Sequence, residues 1–185
     1  MVIFMKLMFA SDLHGSAPAC RKVLEAYRRE RAERLCLLGD LLYHGPRNGL
    51  FEGYDPQETA RLLNAAKNEL LCVRGNCDSE VDQMMLEFPI LSDSALLFAD
   101  GHSFFLSHGH HFNPGMLPPL KEGDILLNGH THLFGAEKVG GTTCLNDGSP
   151  ALPKNGNPPT YLVYENGVFL WKTPEGEEIR RYILE

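Results

Sequence analysis

Five short clusters of Asp, Asn, His and Gly, each placed where an apolar run stops, constrain this chain more than any other feature. They are Ser11-Asp12-Leu13-His14-Gly15, Gly39-Asp40, Gly75-Asn76-Cys77-Asp78, Ser107-His108-Gly109-His110 and Gly129-His130-Thr131-His132. The segments ahead of them are short and largely apolar, as in KLMFA, LCLL and LLCV. Such runs fit strands buried on both faces. Between the first three, the apolar spacing predicts a helix over 18–31, with Val23, Leu24 and Tyr27 turned inward. A second helix is expected over 56–68, with Asp55 as its cap and Pro56 at the first helical position. Alternating strands and helices imply a parallel sheet. The strand ends of an open α/β sheet are where ligands bind, so the polar clusters converge on one spot.

The second half of the chain changes character. Asp100-Gly101 between 95–99 and 102–106 reads as a hairpin with a two-residue turn. Gly140-Gly141 marks a second hairpin, and Glu165-Asn166-Gly167 a third. Single strands are expected over 124–127 and 179–184. Two packed mixed β-sheets flanked by helices would house this mixture, as one domain spanning 1–185.

Composition narrows the function. Seventeen Lys and Arg against 24 Asp and Glu leave a net charge of −7, which argues against stable nucleic-acid binding through a broad basic surface. The longest apolar run, 1–10, is interrupted by Lys6 and falls short of the roughly 20 residues a membrane span needs. No secretory pattern of leading positive charge and small-residue cleavage site accompanies it. Met5 is an alternative start, which would make 1–4 an upstream extension. The cysteines number five, with no C-x-x-C, and Cys36 and Cys72 lie inside apolar runs. A cytoplasmic, reducing compartment suits them better than a disulfide framework.

Asp and His offer oxygen and imidazole donors, and Asn adds a neutral carbonyl oxygen. That mixture suits Mn²⁺, Fe²⁺, Co²⁺ or Zn²⁺ rather than a closed structural zinc site of Cys and His. A single Asp carboxylate can bridge two ions about 3.5–4 Å apart. A positive centre of that kind would bind phosphate despite the chain's acidic balance.

In order and composition the five blocks resemble the calcineurin-like metallophosphoesterase superfamily, whose pattern is D-x-H, GD, GN-x-[DE], a His element and GH-x-H. The short length and the GNCD variant look like the small YfcE-like phosphodiesterases. The resemblance implies a four-layer α/β/β/α sandwich and two divalent ions, with Mn²⁺ preferred and Fe²⁺, Co²⁺, Ni²⁺ or Zn²⁺ admitted. It implies that Asp12, His14 and His132 hold the first ion, that Asn76, His108 and His130 hold the second, and that Asp40 bridges them. The implied reaction is hydrolysis of a small phosphodiester by metal-activated water.

Further catalytic candidates are His44, Arg74, Cys77 and Asp78. His44 could donate to the phosphate or the leaving group, and Arg74 and Arg47 could clamp phosphate. Cys77 stands where many members of the superfamily carry His, so their usual His–Asp acid pair is incomplete. Cys77 is either a packing residue or a chemical one, and Asp78 either orients a ligand or caps a turn. Asn113, Pro114 and Gly115 suggest a lip over the site. The few cations near the motifs favour a diester over a dianionic monoester, unless a loop elsewhere supplies Lys. The alternative is a scaffold like a retromer subunit that shares the fold. There several ligand positions depart from the enzyme pattern, whereas all seven ligand types are present here. Exposed hairpin edges leave room for a homo-oligomer.

Overall fold

A computed structural model describes residues 5–184; the apolar residues 1–4 lie outside it. The first half alternates as expected. Strand β1 (Lys6–Ala10) leads to helix α1 (Ala17–Glu30), then β2 (Arg34–Leu37), helix α2 (Pro56–Ala65) and β3 (Leu70–Cys72). Ser16 caps α1, its side chain accepting from the Ala19 amide, and Asp55 caps α2 through the Glu58 amide. Helix α2 ends at Ala65, short of the expected 68, because 67–69 tighten into a 3₁₀ turn. A third helix, α3 (Glu80–Met85), follows β3.

The remaining strands are β4 (Ser94–Ala99), β5 (His102–Ser107), β6 (Ile125–Asn128), β7 (Gly135–Val139), β8 (Thr142–Asn146), β9 (Tyr161–Glu165), β10 (Val168–Lys172) and β11 (Glu178–Ile183). They complete a six-stranded sheet, β11-β10-β9-β1-β2-β3, and a five-stranded sheet, β4-β5-β6-β8-β7. Both are mixed. Strands β1, β2 and β3 run parallel in one, and β5, β6 and β8 in the other. The third hairpin turns on Asn166-Gly167 alone, both at positive φ, and Glu165 stays in the ladder opposite Val168.

Alternation along β1 builds the layers. Leu7 and Phe9 pack with Cys36, Leu38, Phe104, Ile125 and Leu127 between the two sheets. Met8 and Ala10 face the other way, with Leu35 and Leu37, against Val23, Leu24 and Tyr27 of α1 and Leu63 of α2. A strand buried on both faces must be apolar at every position, which is why this run shows no alternation in the sequence. Helices α1 and α2 thus cover the first sheet, and among the described residues no helix follows β4. On the second sheet Phe105 packs edge-on against Phe112 of the loop after β5. No helix among the described residues is long and apolar enough to cross a membrane.

Candidate metal centre

The five polar clusters sit at the carboxyl ends of β1, β2, β3, β5 and β6. Their convergence follows from parallel pairing. Leu38 donates to the Ala10 carbonyl, Asp12 to Gly39, His14 to Asp40 and Gly129 to His108, so neighbouring chain ends are tied after the ladders stop. The approach is tight enough that a Cβ on Gly75 would overlap the Asp40 carboxylate, and one on Gly129 would overlap Ser11 and Asp12.

Asp12, His14, Asp40, His108 and His132 are each at most 4% exposed. Asn76 is exposed and His130 half-buried. Nine described non-glycine residues have positive φ, and five of them are Asp12, His14, Asp40, His130 and His132. That conformation costs on the order of 1–3 kcal/mol for such residues and tends to cluster at functional sites. Packing and backbone bonds have therefore held five side chains in orientations that their local preferences oppose.

The tautomers are legible. His14 Nδ1 lies 2.8 Å from the Tyr43 carbonyl, His108 Nδ1 2.7 Å from Leu38, and His132 Nδ1 2.6 Å from Leu152. A carbonyl only accepts, so each Nδ1 carries the hydrogen and each neutral ring turns a bare Nε2 inward. In the neutral rings the inward Nε2 atoms of His14, His108 and His132 carry no hydrogen. His14 Nε2 and His132 Nε2 are 3.3 Å apart, and His108 Nε2 is 3.1 Å from Asn76 Oδ1 and 3.2 Å from His130 Nδ1. Asp12 Oδ1 is buried with no hydrogen-bond partner, 3.2 Å from His132 Nε2 and 3.6 Å from His14 Nε2. Asp40 Oδ2 lies 3.4 Å from His108 Nε2 and 3.7 Å from His14 Nε2.

Lone pairs aimed at lone pairs call for a shared positive charge, supplied by protons or by a metal ion. Two ligands about 2.1 Å from one ion and at right angles lie about 3 Å apart, close to these separations. Three buried or half-buried groups meet the spacing for one ion: Asp12, His14 and His132; Asp12, Asp40 and His108; and His14, Asp40 and Cys77. The donor set fits divalent metal.

The electrostatics agree. Burial opposes charge throughout the site; attraction overrides it at Asp12, Asp40, His14 and His108, whereas burial and the neighbouring His108 lower His130. Burial raises both carboxyls, but His108, joined by His132 and His14 at Asp12 and by the Cys77 amide at Asp40, holds them below the usual carboxylate range. Conversely, burial would lower His108, but Asp12 and Asp40 pull it up to about 9. Without metal the carboxylates favour protons on His108 and His14, and a bound cation would take over that compensation.

The other candidates fall around this centre. Asp78 is buried, and its carboxylate accepts from the amides of Asp40, Leu41 and Gly75 at 2.7–2.9 Å. It ties the β2 and β3 ends together and so positions Asp40. Cys77 is half-buried; its amide donates to Asp40 Oδ1 at 2.8 Å. Burial and the nearby Asp40 push its thiol up to about 12, so it remains protonated. The Arg74 Nε donates to the Asp78 carbonyl, and Arg74 does not line the central cavity. The His44 Nδ1 donates to the Asn48 carbonyl, and its ring packs against Tyr43 and Tyr54. It too is absent from the cavity wall. That cavity, of about 320 Å³, is lined by His14, Asp40, Asn76, Cys77, His130 and His132 together with Arg47, Asn48 and Lys154. Lys154 belongs to the loop before β9, outside every motif, and its amide bonds the His132 carbonyl. It is the outlying lysine that the sparse-cation argument left room for, and it weakens that argument. A second cavity of about 520 Å³ shares His130 and is lined by His110, Asn113, Pro114 and Phe134 among others. The expected lip therefore borders this neighbouring space.

Sheet order, strand-end ligands and donor chemistry together define a metal-dependent phosphoesterase fold. The chain belongs to the calcineurin-like phosphoesterase superfamily, whose domain model matches residues 5–166. It is 50% identical over 164 residues to phosphodiesterase YfcE of Escherichia coli strain K12, covering 89% of each chain. A solved structure of Yfce, described as a phosphoesterase from E. coli, superposes with a TM-score of 0.94 at 45% identity, over 98% of this chain and all of that one. Vps29 from Entamoeba histolytica, in a Zn²⁺ complex, reaches a TM-score of 0.62 at 21% identity over 98% of this chain and all of its own, a likeness of fold alone.

Proposed function

We propose that the chain is a binuclear metal-dependent phosphodiesterase. Asp12, His14 and His132 would hold one ion, Asn76, His108 and His130 the other, and Asp40 would bridge them. One observation carries this reading. Three imidazoles anchored at Nδ1 by backbone carbonyls present bare Nε2 atoms toward two buried carboxylates. Such outer hydrogen bonds fix the tautomer and orientation of metal-binding histidines.

When bound, the ions supply Lewis-acid polarisation of a phosphoryl oxygen and lower the pKa of water toward neutrality. The chain's own residues do the rest. Arg47 and Lys154, on the cavity wall, balance phosphate charge. Asp78 holds the Asp40 backbone in place, so that its carboxylate stays between the two His groups. The protonated Cys77 thiol is a weak donor and gives little help to a leaving alkoxide. Turnover should then favour esters with good leaving groups. Mn²⁺ is the preferred ion in this reading, and the free cysteines fit a cytoplasmic setting.

The diester preference rests on the relatives named phosphodiesterases, since Lys154 enlarges the cation inventory. The scaffold alternative loses ground to the 50% identity with YfcE and to the presence in the sequence of all seven ligand types. The test is hydrolysis of bis(p-nitrophenyl) phosphate against p-nitrophenyl phosphate by the Mn²⁺-reconstituted chain. A higher kcat/KM for the diester is expected. Preference for the monoester reverses the substrate class, and inactivity with Mn²⁺, Co²⁺, Ni²⁺ and Zn²⁺ favours the scaffold.

A further inference from the structure

Behind Asp12 lies a buried carboxyl that the proposed chemistry does not use. Asp147, just past β8, is 1% exposed. Its Oδ1 is 2.8 Å from Ser11 Oγ, and its Oδ2 is buried without a hydrogen-bond partner. Ser11 Oγ is in turn 2.5 Å from Asp12 Oδ2, and Ser11 is fully buried. The same Asp12 oxygen accepts the His130 amide at 2.9 Å.

Counting hydrogens decides the arrangement. A serine hydroxyl has one hydrogen, yet two carboxyl groups flank it, with the Gly148 carbonyl a more distant acceptor at 3.4 Å. Both short contacts are hydrogen bonds only if one carboxyl carries a proton. Asp12 turns its Oδ1 toward the imidazoles of His132 and His14, at 3.2 and 3.6 Å, and so is the carboxyl placed to carry the charge. Asp147 has no cationic partner, and an ionised carboxylate buried with one bare oxygen is costly. Resting on the binuclear reading, we infer that Asp147 is a neutral carboxylic acid that donates to Ser11, which donates to Asp12 Oδ2. The relay makes Asp147 and Ser11 positioning residues. With Oδ2 engaged by Ser11 and by the His130 amide, Asp12 presents only Oδ1 to the cation. Burial, and then the nearby charge of Asp12, push the Asp147 carboxyl well above its ordinary range, in the same direction.

The experiment pairs two readouts on the full-length chain. The first is the infrared difference spectrum between wild type and Asp147→Asn at neutral pH. A protonated-carboxyl C=O band present in wild type and lost in the variant is expected; its absence overturns the neutral acid. The second is Mn²⁺ affinity by calorimetry. Asp147→Asn keeps a donor toward Ser11 and should bind Mn²⁺ within about twofold of wild type. Asp147→Val and Ser11→Ala should bind about 10–100-fold more weakly, the usual cost of losing an outer partner of a metal ligand. Ser11→Ala is the smaller change should the valine variant fail to fold. Either variant binding like wild type while folded, as judged by circular dichroism, overturns the relay. Wild-type chain that takes up no Mn²⁺ would instead overturn the binuclear reading, with the infrared band still deciding the state of Asp147.

Discussion

The two halves of the proposed metal centre are built to different standards. Asp12, His14 and His132 are nearly inaccessible, and both imidazoles are tied to backbone carbonyls. Opposite them only His108 is fixed in that way. Asn76 is exposed, and the half-buried His130 turns its Nδ1 toward His108. Ordering a side chain costs free energy that a preorganised one has already spent in folding. The first half should therefore hold its ion tightly and the second exchange it readily. Asp40 lies between the two halves, 3.7 Å from His14 and 3.4 Å from His108.

The largest effect should come from removing what the halves share. Asp40→Ala is expected to lose both ions and to cut turnover about 10³-fold, since the charge stabilisation at stake is several kcal/mol. Metal content by mass spectrometry and kcat on a nitrophenyl diester check it. Wild-type turnover in this variant would mean that the halves work without a bridge.

A smaller effect should separate the halves. His132→Ala is expected to weaken the tighter Mn²⁺ site about 100-fold, and Asn76→Ala the weaker site about tenfold, in line with the loss of one ligand or its support. Two-site calorimetric titrations report both. Equal losses in the two variants would erase the distinction.

The smallest effect belongs to Cys77, on the open side. Cys77→Ser should leave nitrophenyl hydrolysis within about tenfold, because nitrophenolate departs without protonation. Loss of activity at full metal content would give the thiol a chemical role.

The same contrast explains how much could be read from the sequence. The convergence of Asp12, His14, Asp40, His108 and His132 was legible because each stands at the stop of a buried run, and parallel strands end on one edge. Residues off those stops gave no such signal. Lys154 reaches the cavity from a loop without a motif, and Asp147 sits beside Ser11 only because β8 pairs with β6. Arg74 precedes Gly75, which suggests phosphate, but its guanidinium serves the Asp78 carbonyl. Helix α3 buries no side chain, so no apolar period announces it. Its capping box closes with Asp82 where Glu or Gln is the usual sign. The hairpins at Asp100-Gly101 and Gly140-Gly141 were legible for the opposite reason, since tight two-residue turns favour residues that accept positive φ, as Asp100, Gly101 and Gly140 do.

Anomalous scattering from Mn²⁺-soaked crystals of the full chain tests the binuclear centre most directly. Two peaks flanking the Asp40 carboxylate are expected, one bounded by Asp12, His14 and His132, the other by Asn76, His108 and His130. On lowering the Mn²⁺ concentration, the peak beside Asn76 should fade first. A single fully occupied peak at saturating Mn²⁺, or two peaks without Asp40 between them, would contradict it.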